Sequence, residues 1–183
     1  MDHLTTEALN AGLEEIRRSP ADGGRVELIV ARPAVDERDE LSEGQLDVTL
    51  GLVGDSWSQR PSSRSDDGRA HPEMQLNVMN ARAVALLAID PARRSLAGDQ
   101  LYLDLDLSVA NLPAGTQLAL GTAVIEITAQ PHRGCAKFAQ RFGPDAVRWV
   151  NSPAGLELNL RGVNAKVVTP GTVRVGDVAS KVI

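Results

Sequence analysis

Aromatic side chains are almost missing from this 183-residue chain: two Trp, one Tyr and two Phe make up 3% of it. A chain of this length buries a sizeable core, so that core must be filled by Leu, Val, Ile and Ala. Cysteine is rarer still. A single thiol, Cys135, excludes an internal disulfide framework and fits a reducing, cytoplasmic compartment. One cysteine with three histidines also supplies too few ligands for a dedicated structural zinc site. There is no basic excess. A net charge of −5 argues against a general nucleic-acid or anionic-membrane partner, since both need a basic footprint. No apolar run approaches membrane-spanning length, and Met1 to Arg18, with Glu7, Glu14 and Glu15, lacks the apolar stretch of a signal peptide. Glycine-rich dinucleotide fingerprints, phosphate loops and internal repeats are missing as well. These absences predict a soluble cytoplasmic protein, a monomer or homo-oligomer, and leave its oligomeric state open.

What is present is a succession of short alternating segments. Thr5 or Thr6 can cap a first helix with Leu9, Leu13 and Ile16 on one face, stopped at Asp22-Gly23-Gly24. Strands are predicted over 25–31, with Val26, Leu28 and Val30 on one side, over the alternating Leu46, Val48, Leu50 and Leu52, and over 75–79. The polar stretch from Ser58 to Pro72 has no periodicity and reads as a long mobile loop. Asn80 can cap a helix that ends near Asp90-Pro91. Leu101, Leu103, Leu105 and Leu107 alternate with Tyr102, Asp104, Asp106 and Ser108, the pattern of a half-buried strand with an acidic outer face. Residues 116–129 read as a hairpin. Two short helices follow, 135–142 stopped by Gly143 and a second opened by Pro144. Further strands are predicted over 155–160, 166–168 and 172–175. Many short strands with few helices predict a mainly β protein, a β-barrel with helical inserts.

The segment richest in chemistry is Pro131-His132-Arg133-Gly134-Cys135-Ala136-Lys137-Phe138, with Arg141 beyond it. Cys135 falls at a predicted helix start, where unsatisfied N–H groups favour negative charge. His132, Arg133 and Lys137 add positive potential, the conditions that populate a reactive thiolate. Gly134 would leave the backbone open to an approaching substrate. A second reading stands beside the first: Cys135, Phe138 and Phe142 share a helical stripe, and a free cysteine is commonly a small buried hydrophobe. Arg161 and Asn164, around Gly162, could hydrogen-bond an anionic or amide-rich ligand, or be a solvated charge and a turn residue.

These motifs, in this order, resemble the MOSC family, named for the carboxyl-terminal domain of eukaryotic molybdenum-cofactor sulfurases. The resemblance runs from Gly98-Asp99 through the leucine strand and Gly121-Thr-Ala-Val-Ile-Glu-Ile-Thr to His132-Arg-Gly-Cys-Ala-Lys-Phe. It continues through Arg141-Phe-Gly, Leu160-Arg-Gly-Val-Asn-Ala and Pro170-Gly-Thr-Val-Arg-Val-Gly-Asp, and is strongest over 98–178. In the first half Gly51-Leu52-Val53-Gly54-Asp55 resembles the family's G-x-x-G-D element. His71-Pro72-Glu73-Met74-Gln75 keeps the histidine of a His-Gly-Gly segment and lacks both glycines.

The resemblance implies a single MOSC-like domain over 1–183, a closed β-barrel with a few short helices. It implies that Cys135 accepts sulfur as a persulfide, or ligates molybdenum when the molybdenum cofactor is bound. On that reading His132 shuttles protons near neutral pH, and Arg133 or Lys137 stabilises the thiolate. Arg141 and Arg161 meet an anionic group such as a pterin phosphate, and Asn164 adds hydrogen bonds. The implied partners are a sulfur donor such as a cysteine desulfurase, and the molybdenum cofactor or its enzymes. The pyridoxal-phosphate domain of the sulfurases has no counterpart in this chain. Two alternatives remain: a component of a molybdenum-dependent reductase of N-hydroxylated compounds, and a non-catalytic ligand-binding module in which the thiol is incidental.

Overall fold

The computed structural model of the chain describes residues 3–182. The Thr5 hydroxyl accepts from the Ala8 N–H and starts α1 (Thr6–Ala11). Gly12 separates α1 from α2 (Leu13–Arg17), so the predicted first helix is two short ones. In β1 (Gly24–Ala31) a bulge between Val26 and Leu28 shifts the alternation. Val26 and Ile29 enter one core, while Leu28 and Val30 face another, so the three residues expected on one side divide between two.

After β2 (Asp39–Leu41), the run expected as one strand over Leu46–Leu52 is a hairpin. β3 (Glu43–Asp47) turns back into β4 (Gly51–Leu52), with Leu46 opposite Leu52. The Asp47 carboxylate accepts from the N–H groups of Thr49 and Leu50 and holds the turn, leaving Val48 and Leu50 exposed at its tip. The loop beyond it contains two 3₁₀ turns, Trp57–Gln59 and Pro72–Met74. β5 (Leu76–Asn80) passes directly into α3 (Ala81–Leu87), whose Ala83 N–H is capped by the Asn80 side chain. β6 (Leu101–Asp104), β7 (Gln117–Leu120) and β8 (Ala123–Ile127) precede α4 (Ala136–Phe142) and α5 (Pro144–Val150). Segment 155–160, expected as a strand, instead belongs to α6 (Pro153–Glu157) and the turn after it. Ser152 caps that helix by accepting from the Gly155 N–H, and Pro153 supplies the preset first residue. β9 (Val163–Thr169), β10 (Gly171–Arg174) and β11 (Val178–Lys181) complete the described chain.

Seven strands close into a barrel in the order β1, β6, β5, β9, β8, β7, β11. β11 returns to β1 where Gly24 meets Ala179. The β5–β6 pair is parallel, with α3 lying between the two strands in sequence, and the other pairs are antiparallel. β2 extends β1 outside the ring, and β10, β3 and β4 form a separate three-stranded sheet. The fold is the predicted mainly β barrel with short helices.

Scarcity of aromatics is resolved by position. The barrel interior is filled by Leu, Val, Ile and Ala, including Leu101, Leu103, Leu118, Ile125 and Ala165. Tyr102, Phe138, Phe142 and Trp149 gather outside it, in a second core between the barrel wall and the helices. β6 is thus covered on both faces. Tyr102, expected on an acidic outer face, is fully buried, and Asp104 meets Arg82 at 2.7 Å.

Candidate functional site

Closure of the barrel brings six cations into one cleft. Arg32 follows β1, Arg38 lies in the loop between β1 and β2, and Arg60 comes from the long loop after β4. Lys137 and Arg141 project from α4, and Arg161 precedes β9. With Asn77, Gly98, Phe138 and Cys135 they line a cavity of about 350 Å³. That volume falls in the range of small-molecule sites, about 300–1,000 Å³.

Three of the cations are matched by carboxylates. Arg32 is buried and forks onto Asp55, with Nε donating at 2.7 Å and Nη2 at 3.0 Å. Its Nη1 donates to Asn77 and to the Gly98 carbonyl, so it is a fixed strut of the wall. Arg161 donates from Nη1 to both oxygens of the fully buried Asp99, at 2.6 and 2.9 Å. Its guanidinium also lies over the Phe138 ring, 4.8 Å from the centroid. Arg141 meets Asp36 at 2.7 Å near the cleft mouth.

The other three are unmatched. Among the described residues, Arg38, Arg60 and Lys137 have no carboxylate within ion-pair distance. Arg38 is held below the ordinary arginine value by burial, then by Arg141 and Arg32. Arg60 is held down by burial and by Arg32. Arginine nonetheless remains charged in proteins. The buried Nε atoms of Arg38 and Arg161 have no hydrogen-bond partner. Crowded like charges with unsatisfied donors are the electrostatic signature of a site for an anion.

Cys135 sits on this cleft as the residue that starts α4, and its side chain is exposed. Phe138 and Phe142 are buried with ring centroids 5.1 Å apart, while Cys135 lies off that stripe. It is not a buried hydrophobe. Gly134, expected to leave room for a substrate, is engaged by protein. Its N–H donates to Asn151 Oδ1 at 3.0 Å, and its carbonyl accepts from Asn151 Nδ2 at 3.1 Å. A Cβ there would meet Val150 at 2.8 Å. Cys135 shares the cleft with the guanidinium groups, and α4 is only seven residues long.

The structure therefore brings together four of the residues singled out in the sequence: Cys135, Lys137, Arg141 and Arg161. It places three elsewhere. His132 and Arg133 line a separate cavity of about 210 Å³ between the β8–α4 segment and α6. The His132 imidazole is largely buried, with Nδ1 3.5 Å from Asp99. Burial, reinforced by Arg161 and Arg32, holds its pKa well below the usual 6.5, so the ring is neutral at pH 7. Asn164 is fully buried behind the cleft, accepting from Asn77 and donating to the Gln130 carbonyl. His71 caps the 3₁₀ turn at 72–74 by accepting from the Glu73 N–H. It helps wall a smaller cavity, about 170 Å³, which shares Arg32, Arg60 and Asn77 with the cleft and also holds Trp57.

Sequence reasoning missed Arg32, Arg38, Arg60 and Asn77. Signals existed for the buried carboxylates. Asp55 and Asp99 each follow a glycine within the motifs that carried the family resemblance, and each fixes a cleft arginine. Arg38 and Arg60 lie in segments with no periodicity, and only the folded chain collects them.

Among the described residues no helix is long and apolar enough to cross a membrane, and no group of three or more His, Cys, Asp or Glu could hold a metal ion. No protein of curated function matches the chain. The solved structures that share its fold include these three. The YuaD protein of Bacillus subtilis is 15% identical with a TM-score of 0.64, over 86% of this chain and 96% of its own. A hypothetical protein is 23% identical with a TM-score of 0.57, over 87% of this chain and 69% of its own. YiiM of Escherichia coli is 20% identical with a TM-score of 0.56, over 87% of this chain and 70% of its own. The family model for the MOSC domain matches residues 69–180, which include Asn77, Asp99, Cys135 and Arg161. With the barrel, the cysteine and the arginine cleft in place, the match is decisive: this chain belongs to the MOSC domain family.

Proposed function

We propose that this protein is a sulfur carrier whose Cys135 thiol accepts a sulfane sulfur beside an anion-binding cleft. One observation carries the reading: the exposed cysteine lines the cleft that also holds three cations without carboxylate partners. The thiolate of Cys135 attacks the outer sulfur of a donor persulfide. A bond forms between the two sulfurs, the donor's own S–S bond breaks, and its electron pair leaves with the donor thiolate. No external oxidant is consumed. The cationic cleft stabilises negative charge on the attacking and departing sulfurs. A cysteine desulfurase carrying a persulfide is one donor of the right chemistry.

The residues also fit the molybdenum cofactor of the family. Arg38 and Arg60 have no carboxylate, and the buried Nε of Arg161 has no partner, so together they suit the cofactor's phosphate. Cys135 would supply a soft sulfur ligand to molybdenum. When bound, the cofactor supplies a redox-active metal centre. The chain's own part is to hold the anionic group, present the thiol and fix both against Asp55 and Asp99. His132 is outside this scheme as a proton shuttle, being neutral and turned toward Asp99.

Intact mass spectrometry after incubation with inorganic polysulfide tests the proposal. Wild type should gain reductant-labile sulfur and Cys135→Ser should gain none. A folded wild type that stays unlabelled would make the cysteine incidental and the protein a binding module.

A further inference from the structure

The cleft has more to say about the donor than that it carries sulfur. Its free charge is concentrated in half-buried Arg38 and Arg60, with Lys137 at the edge. Its wall is braced by the buried Arg32–Asp55 and Arg161–Asp99 pairs. Arg161 is itself 7% exposed, lines the cavity, and keeps an unpartnered buried Nε. A protein-borne persulfide presents one negative charge on a long peptide and needs an apolar or shape-matched surface around the thiol. This open cleft instead offers several guanidinium groups beside the thiol. Such a site favours a compact anion of more than one charge, held by charge-assisted hydrogen bonds.

We infer that the cleft takes thiosulfate and that Cys135 draws its sulfur from that small dianion. The inference rests on the sulfur-carrier reading and adds an activity to it, that of a thiosulfate sulfurtransferase. The Cys135 proton is lost to solvent before attack. The thiolate then displaces at the outer sulfur of thiosulfate. The new bond joins Cys135 Sγ to that sulfur, the S–S bond of thiosulfate breaks, and its electron pair leaves with sulfite. Charge is conserved: a thiolate and a dianion become a persulfide anion and a dianionic sulfite. Arg38 and Arg60 hold the sulfonate oxygens, whose charge density rises as sulfite departs, so their contribution grows toward the transition state. A thiophilic acceptor such as cyanide then removes the outer sulfur as thiocyanate and regenerates the thiolate.

The test is sulfite release from thiosulfate by the full chain, measured with Cys135 labelling by intact mass, and in parallel the labelling by inorganic polysulfide. The inference expects stoichiometric sulfite, no sulfite from Cys135→Ser, and a rate that falls as salt is raised. Arg38→Gln and Arg60→Gln should each slow sulfite release by at least about tenfold. Alkylation of Cys135 by neutral iodoacetamide should slow less than sulfite release in both variants, because the arginines act on the donor as well as on the thiolate, and circular dichroism should show both variants folded like wild type. Equal slowing of alkylation would overturn the assignment of the arginines to thiosulfate. Polysulfide labelling without sulfite release would overturn this inference and leave the carrier reading standing. Failure of both donors would overturn the two together.

Discussion

Asn151, at the end of α5, grips both backbone groups of Gly134, the residue before Cys135. No strand or helix holds 128–135, and this two-point contact anchors its thiol end, while bonds from Thr128 to Glu73 and from Asn164 to Gln130 hold its start. Asn151→Ala should cost about 1–2 kcal/mol of stability, the net value of two part-buried hydrogen bonds. Its larger effect should be on reactivity, with Cys135 still labelled but more slowly. Urea unfolding reads the first effect and the rate of persulfide formation reads the second. An unchanged labelling rate would mean that the segment holds its geometry without Asn151.

The Arg32–Asp55 pair is buried and doubly hydrogen-bonded, so breaking one side leaves an uncompensated charge. Asp55→Ala should destabilise by about 3–5 kcal/mol. The double variant Arg32→Met with Asp55→Ala should recover much of that loss, because no buried charge then remains unpaired. A double-mutant cycle by chemical denaturation checks this. If the double variant is as unstable as Asp55→Ala, the pair is not the source of the cost.

His132 gives the fold a pH dependence. Its folded-state pKa is held well below 6.5 by burial and by the neighbouring Arg161, Arg32, Arg64 and Arg133. As pH falls below about 6.5 the unfolded chain takes up a proton at this site that the folded chain refuses. Stability from this residue is therefore complete above that pH. It declines below it by up to about 1.4 kcal/mol per pH unit, until the folded-state pKa is reached. Burial lifts the nearby Asp99 in the opposite sense, with Arg161 opposing, so the His132 share must be isolated by difference. His132→Gln should remove this slope between pH 5 and 7 in unfolding curves recorded against wild type. Equal slopes for the two proteins would refute it.

Gly162 sits between Arg161 and β9 at a φ of 98°, where a Cβ would meet the Val78 carbonyl at 2.3 Å. Gly162→Ala combines a left-handed backbone with a backbone clash and should cost at least about 2 kcal/mol. Because the same residue fixes the entry into β9, the variant should also lose affinity for sulfate or phosphate in the arginine cleft. Calorimetric titration with either anion reads that loss. Full affinity in a destabilised variant would separate barrel closure from the site.

Most of the strands were legible because alternation survives wherever one face meets the barrel interior, as with Leu118 and Leu120 or Ile125 and Ile127. It failed where local chemistry overrode pattern. The bulge after Val26 moved Leu28 to the other face, and Asp47 folded an alternating run into a hairpin. At α6 the Ser152-Pro153 start was the stronger signal, and the later Leu156 and Leu158 misled. Of the site, the half contributed by α4 and by Arg161 could be found from one continuous segment and one motif. Arg32, Arg38 and Arg60 could not, since charge in an aperiodic loop carries no sign of where closure will place it. For Cys135 the sequence left two readings open, a reactive thiol at a helix start and a small buried hydrophobe. Its helical spacing from Phe138 pointed inward, and the extended backbone at the helix start turns it outward.

The seam between β1 and β11 has a consequence for how the molecule comes into being. Gly24 is made long before its partner Ala179. During synthesis β1 can join β6 on one edge and β2 along part of the other, while the stretch at Gly24 and Arg25 stays bare until β11 has emerged. A ring sealed by its first and last strands is rich in distant contacts and therefore slow to form. Through that interval an open sheet lined with leucine and valine faces the cell, a surface on which other nascent chains could lodge. Yield of this protein should thus depend on chaperone supply and growth temperature more steeply than its final stability suggests.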